Sequence, residues 1–180
     1  MFKFLCEILR GLQMNDQQDT GMQGAINKGT VNKDAVDKGI SSQFIVIQVS
    51  WASHAAHLIA VREPVFVIEQ EVAPAFEWDE IDQEAIHLLA YVDDKAVGCA
   101  RIIKHQKVGR MAVLKAWRGK GIGMALLVEA IAICKAYGSE SVFLTAQTHA
   151  ITFYKQAGFI ETSGVYQDAN IPHVDMQLML

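Results

Sequence analysis

At 180 residues, 51% of them hydrophobic, the chain is long enough for one domain with a sizeable core and a short appendage. A net charge of -4 excludes the basic face that a nucleic-acid binder needs, and Cys6, Cys99 and Cys134, odd in number and far apart, exclude a disulfide framework or a cysteine metal cluster. That cysteine pattern makes a reducing cytoplasm the expected setting, and no apolar run approaches the roughly 20 residues of a membrane span.

Residues 1–43 read as a flexible leader. Met1 to Leu12 is amphipathic, with Glu7 and Arg10 interrupting the apolar run of a signal peptide, and suits a docking or surface helix better than membrane contact. Gln13 to Gln43 is polar and rich in Gly, Asn, Asp and Lys, too poor in apolar area to offset its ordering entropy. The folded domain is expected over 44–180. It begins with a β-branched strand, Phe44 to Val49, after which Ser50 caps a helix over about Trp51 to Arg62. Pro64 is expected to end that helix, because the residue before proline disfavours α geometry. Val65 to Gln70 leads into an acidic loop with Glu77, Asp79, Glu80, Asp82 and Glu84, read as a solvated loop or, alternatively, as a site for a cationic substrate.

Strands His87 to Val92 and Ala96 to Ile103 flank the turn residues Asp93-Asp94-Lys95, which predicts an antiparallel hairpin. Lys104-His105-Gln106 connects to a third strand, Val108 to Leu114. Next comes a glycine-rich turn, Arg118 to Gly123, opening a helix that runs to about Tyr137 with Ile122, Leu126, Ala130, Ile133 and Tyr137 on one face. Gly138 is placed to close it. Ser141 to Thr145 reads as a buried strand parallel to the one before the turn. A short helix over Thr148 to Gln156, a strand over Phe159 to Thr162 and a terminal strand from His173 to Leu180 complete an α+β domain with a mixed, mostly antiparallel sheet flanked by helices.

The turn is where chemistry is expected. Glycines let a ligand approach the backbone, the helix N-terminus presents unpaired N–H groups and a positive dipole end, and Arg118 and Lys120 add charge, so the combination suits a phosphate. A nucleotide P-loop requires Ser or Thr after Gly119-Lys120, and Gly121 stands there; a dinucleotide fingerprint requires glycine at Met124 or Leu126. What remains is Arg-x-x-Gly-x-Gly, carried by Arg118, Gly121 and Gly123.

This motif resembles the acyl-CoA pyrophosphate loop of the GNAT superfamily of N-acetyltransferases. Gln147, Ala150, Tyr154, Gly158 and Phe159 resemble its second segment, with Gln147 standing where the family usually has Asn. Arg62, Phe66, Val67, Glu69-Gln70, Glu77, Asp79, Asp82, His87, Val97-Gly98, Arg101, Ile171, His173 and Met176 are similar to its ElaA/YjcF-like branch. The resemblance covers about 44–180 and implies a GNAT-like acyl-CoA N-acyltransferase fold. The activity it implies is transfer of an acetyl group from acetyl-CoA, a co-substrate, to a primary amine of a small molecule or peptide. It places Met111, Ala112 and Val113 beside the thioester, the phosphates on Arg118, Gly119, Lys120, Gly121, Ile122 and Gly123, and the pantetheine arm on Gln147. Tyr154 would protonate the departing thiolate.

The attacking amine must be neutral, and an alkylamine with a pKa of about 10.4 is mostly protonated at pH 7, so a base or a desolvating site is required. Glu69, Glu77, Asp79 and His173 are candidates. Glu69 ranks first because an apolar stretch before it would raise its pKa, and His173 second because its ordinary pKa already suits the task. The six histidines are scattered, so no metal is expected. A non-catalytic acyl-CoA-binding or sensing module is the alternative reading, and a homodimer through a sheet edge is compatible with the pattern.

Overall fold

A computed structural model of the chain describes residues 44–180; the leader expected over 1–43 lies outside them. The elements are β1 (Phe44–Val49), α1 (Trp51–Arg62) continuing as a π-helix (Glu63–Glu69), α2 (Pro74–Glu77), and a 3-10 turn (Glu80–Gln83). There follow β2 (Ile86–Val92), β3 (Lys95–Ile103), β4 (Lys107–Val113), α3 (Ile122–Ala136), β5 (Ser141–Gln147), α4 (Ile151–Gln156), β6 (Ile160–Glu161), β7 (Tyr166–Asp168) and β8 (Ile171–Met179). One sheet runs in the order β1-β2-β3-β4-β5-β8-β6, with β7 also paired to β8. Every pairing is antiparallel except β4 with β5.

That parallel pair divides the sheet. β4 and β5 share a single rung, Lys107 opposite Phe143, secured by the Phe143 N–H donating to the Gln106 carbonyl at 2.9 Å. Beyond it the two strands part, leaving a fork that opens toward Val113 and Gln147. On one face α3 and α4 cover the sheet, and Ile122, Leu126, Ala130 and Ile133 pack on Leu88, Ala100, Val108, Leu144 and Met176. On the other, α1 and the π-helix seal Leu58, Val61 and Val65 against Leu89, Cys99 and Ala112. Because strand side chains alternate, Phe143, Thr145 and Gln147 of β5 share this second face with Gln177, Asp175 and His173, their register partners on β8. There they stay exposed or half-buried.

Several expectations are corrected. The α-helix ends at Arg62 as expected, but Pro64 does not turn the chain out of helical geometry: Glu63 keeps φ -60° and ψ -51°, and Pro64 stands in the first turn of the π-helix that follows. Burial of Leu58, Val61 and Val65 along one continuous face outweighs the local preference. Ser50 occupies the N-cap position, yet its hydroxyl meets Ser53 Oγ at 2.8 Å and bonds no helix amide. The last member of the α3 stripe, Tyr137, is exposed and stacks on His105 at 3.7 Å. Gly138 does close α3, at φ +80°, with its N–H on Lys135 O (2.9 Å) and that of Ser139 on Cys134 O (3.1 Å). The terminal strand starts earlier, at Ile171, and pairs with the unanticipated β7 through a turn at Ala169-Asn170, both at positive φ.

Candidate active site

The fork is prepared by a bulge in β4. Between the pairs Cys99–Ala112 and Arg101–Gly109, Arg110 and Met111 face only Ala100, and Arg110 adopts φ +48°. The Cys99 thiol, pushed up to about 12 by burial, stays protonated and donates to the Arg110 carbonyl at 3.4 Å, bracing the bulge. Leu114 gives its N–H to Val97 O on β3 (2.9 Å), so by alternation the amides of Met111 and Val113 point away from β3 into the fork. Ala112 is a buried core residue beneath them.

Tyr154 of α4 stands across from this strand. Its hydroxyl lies 3.9 Å from Met111 Sδ and its ring packs edge-on against Phe153 and Phe159. Burial pushes its pKa up to about 12, so at neutral pH it holds its proton.

The glycine turn fits an anion. Gly119 and Gly121 sit at φ +73° and +82°, and a Cβ on either would meet no protein atom within 4 Å, so the surface there is bare backbone. Gly121 is the N-cap of α3 and supplies no side-chain bond, so the amides of Ile122, Gly123 and Met124 lack an intrahelical acceptor. Lys120 Nζ rests 4.6 Å from the centre of the Trp117 ring. Arg118 turns back toward the sheet. Its Nε donates to Val113 O at 2.9 Å, and both terminal nitrogens meet the Glu69 carboxylate.

That pairing overturns the reason for ranking Glu69 first. The hydrogen bond from Arg118 holds its carboxyl below the usual range, and the side chain is exposed, so the expected upward shift does not occur. Gln147 is likewise occupied: its Nε2 donates to Gln70 Oε1 at 2.8 Å. Glu69 and Gln70, neighbours at the end of the π-helix, thus tie the loop after β4 and the tip of β5 to one segment. Gln70 is a site residue that periodicity did not single out, although it stands in the Arg62 to Gln70 motif.

Of the five acids of the loop, Glu77, Asp79 and Asp82 turn inward onto arginines, while Glu80 and Glu84 stay exposed as in a solvated loop. Arg62, fully buried, gives Nε to Glu77 Oε1 (2.5 Å), Nη1 to Asp82 Oδ1 (2.8 Å) and Nη2 to Glu77 O (2.8 Å), with the Trp51 and Trp78 rings 5.5 and 4.8 Å from its guanidinium. Arg101 binds Asp79 and Asp82, and Arg110 binds Glu77 (3.0 Å) and Asp79 (3.5 Å). Burial works against the Asp82 carboxylate, and hydrogen bonds from Arg62 and Arg101 more than offset it, holding it below the usual range. His87 is kept neutral chiefly by burial and donates Nε2–H to Asp82 O at 2.9 Å. Glu77 and Asp79, both considered as bases, are therefore internal ion-pair partners that clamp the 77–82 segment to the bulge.

His173 is on the open face of the fork. It lies opposite Gln147 in register and opposite Tyr166 on β7, whose ring is 6.5 Å away. Its Nδ1 bonds the Ile171 carbonyl at 2.8 Å; a carbonyl only accepts, so Nδ1 carries the hydrogen and Nε2 is the basic nitrogen. Next to it on the same face, Asp175 accepts from Thr145 Oγ1 (3.0 Å) and Tyr166 Oη (2.7 Å). Among the described residues, no three His, Cys, Asp or Glu side chains converge as a metal site, and no helix is long and apolar enough to cross a membrane.

The sequence of residues 56–180 matches the Acetyltransferase (GNAT) domain family. The uncharacterized N-acetyltransferase YjcF of Bacillus subtilis is 39% identical over 121 residues, 64% of this chain and 86% of that protein. ElaA of Escherichia coli is 32% identical over 127 residues, 66% of this chain and 83% of that protein. Its crystal structure aligns with a TM-score of 0.68 over 75% of this chain and 99% of that one. An acyl-CoA N-acyltransferase from Pseudomonas aeruginosa aligns at 0.66, with 27% identity, again over 75% and 99%. With the forked sheet, the glycine turn at the head of α3 and these likenesses together, the chain belongs to the GNAT superfamily of acetyltransferases, close to ElaA and YjcF.

Proposed function

We propose that this protein transfers an acetyl group from acetyl-CoA to a primary amine of a small molecule or peptide. The observation that carries the reading is the Tyr154 hydroxyl set against Met111 across an unpaired strand edge. Burial keeps this phenol protonated at neutral pH, so it would be able to hydrogen-bond the sulfur and hand it a proton as the thiolate departs.

The remaining roles follow from placement. The diphosphate of the thioester carrier would sit on the bare amides from Gly119 to Met124, aided by Lys120 and Arg118. The fork-facing amides of Met111 and Val113 would hold the oxyanion, a contribution of about 3 kcal/mol for a well-placed donor. His173 becomes the leading candidate for base, since its hydrogen-bonded Nδ1 leaves Nε2 to receive the proton of the attacking amine, whereas Glu69 is engaged by Arg118. The amine would approach over the open face of β5 and β8, and a cytoplasmic setting would supply acetyl-CoA.

Calorimetric titration with acetyl-CoA, followed by thiol release across a panel of amines, tests this. Heat of binding and release with at least one amine are expected. No heat from folded protein would end the assignment, and heat without release for any amine would point to an acyl-CoA-binding module instead.

A further inference from the structure

One carboxylate beside the fork is left without a counter-charge. The acids drawn inward elsewhere are matched, Glu77 by Arg62 and Arg110 and Asp82 by Arg62 and Arg101. Asp175 differs. It is half-buried in β8, one strand away from the fork edge of β5, and what reaches its carboxylate is neutral: the Thr145 and Tyr166 hydroxyls. Both bonds end on Oδ1, and among the described residues no donor is found on Oδ2 and no cation lies within ion-pair distance. A half-buried carboxylate held only by neutral donors leaves its negative charge unmatched on that face of the sheet. Such a group is complete when a cation joins it.

The spacing says which kind of cation. His173 and Asp175 are two residues apart on one strand, so their side chains stand on the same face about 7 Å from each other. Tyr166, opposite His173 in register and bonded to Asp175, spans the two positions. An acceptor with its reacting nitrogen at His173 would bring a second nitrogen, one short alkyl chain away, to Asp175.

We propose that Asp175 is a specificity-determining residue that binds a second protonated nitrogen of the acceptor, so that the preferred substrate class is a short alkyl diamine rather than a monoamine. This rests on the transferase reading above. If Asp175 served only to brace β7 on β8, Asn would do as well, since its amide oxygen can accept from both hydroxyls.

Asp175→Asn in the full chain is therefore the test, with acetyl-CoA saturating and an alkyl monoamine and diamine of equal carbon number compared by thiol release. The wild-type protein should favour the diamine in kcat/KM. Asp175→Asn should lower diamine kcat/KM by roughly tenfold to a hundredfold, the scale of a hydrogen-bonded charge pair, while the monoamine changes by less than about twofold and the heat of acetyl-CoA binding is preserved. Equal use of the two amines by the wild type, or an equal loss on both in the variant, overturns the inference. Calorimetric titration of the diamine alone into each protein needs no turnover: the heat should be present in the wild type and lost in Asp175→Asn, and unchanged heat would also overturn it. Absence of acetyl-CoA binding would sink the transferase reading instead, and the diamine titration would still decide Asp175's part.

Discussion

Arg118 and Glu69 meet fork to fork at the mouth of the sheet opening, each terminal guanidinium nitrogen 2.7 Å from one carboxylate oxygen. Arg118 is also the first residue of the proposed phosphate cradle, so Glu69 and an incoming phosphate would compete for the same charge. Both side chains are exposed, and an exposed pair of this kind is weak and readily screened. Glu69→Gln is therefore expected to tighten acetyl-CoA binding a few-fold at low ionic strength, with the gain shrinking as salt is raised. Calorimetry at two salt concentrations checks it; weaker binding would mean that Glu69 holds Arg118 in the productive position.

Tyr154→Phe keeps the ring contacts with Phe153 and Phe159 and removes only the hydroxyl. Turnover is expected to fall by roughly a hundredfold or more, in keeping with loss of a general acid, with acetyl-CoA affinity within about twofold. Unchanged turnover would remove the proton-donor role.

The same phenol has a signature in stability. Its folded pKa of about 12 exceeds the ordinary value of 10.0, so between those values the native state keeps a proton that the unfolded chain has lost. Stability should be indifferent to this group below about pH 10 and decline as pH rises toward 12. In Tyr154→Phe that part of the decline should be absent, measurable by urea unfolding across the range.

Arg62 is the centre of the buried ion network. Arg62→Ala would leave Glu77 and Asp82 with one cationic partner fewer in a dry site, and breaking such a pair from one side costs about 3–5 kcal/mol. Urea unfolding should show a loss of this order. A loss below about 1 kcal/mol would mean that water enters the cluster.

Two glycines separate packing from binding. A Cβ at Gly98 would lie 3.0 Å from Leu126 Cδ1, 3.1 Å from Ile122 Cγ2 and 3.2 Å from Ala112 O, so Gly98→Ala should destabilise the seating of α3 by about 1–3 kcal/mol. At Gly121 a Cβ meets nothing in the protein. Gly121→Asp should still fold, at a cost of about 1–2 kcal/mol for the left-handed backbone, and should lose acetyl-CoA binding because a carboxylate would occupy the anion's place. Full-strength binding in that variant would remove the phosphate cradle.

Local patterns carried the β2 to β4 meander, the turn into α3 and the closing Gly138, because each rests on residues close in sequence: Asp93-Asp94 between alternating strands, glycines before a helical stripe, one glycine after it. Where contacts are distant the same patterns were silent. Nothing near Glu77 tells that its partners are Arg62 and Arg110, 15 and 33 residues away, so Glu77, Asp79 and Asp82, which join an internal ion lattice, read as part of the same wet loop as exposed Glu80 and Glu84. Pro64 carried its usual local preference and was overruled by burial on either side of it. The β7–β8 hairpin escaped because Ala169-Asn170 makes its turn without glycine. Of the candidate site, the motifs indicated Tyr154 and the glycine turn, while Asp175 had no local signal beyond sharing a strand face with His173.

Since, among the described residues, β4 and β5 share the single rung Lys107–Phe143, the gap beyond it is gauged by side chains rather than by the regular pitch of a ladder. Tyr154 against Met111 sets the spacing on one face and Gln147 against Gln70 on the other. A descendant of this chain can thus widen or narrow its aperture by exchanging a single wedge residue, leaving every rung of both half-sheets in register.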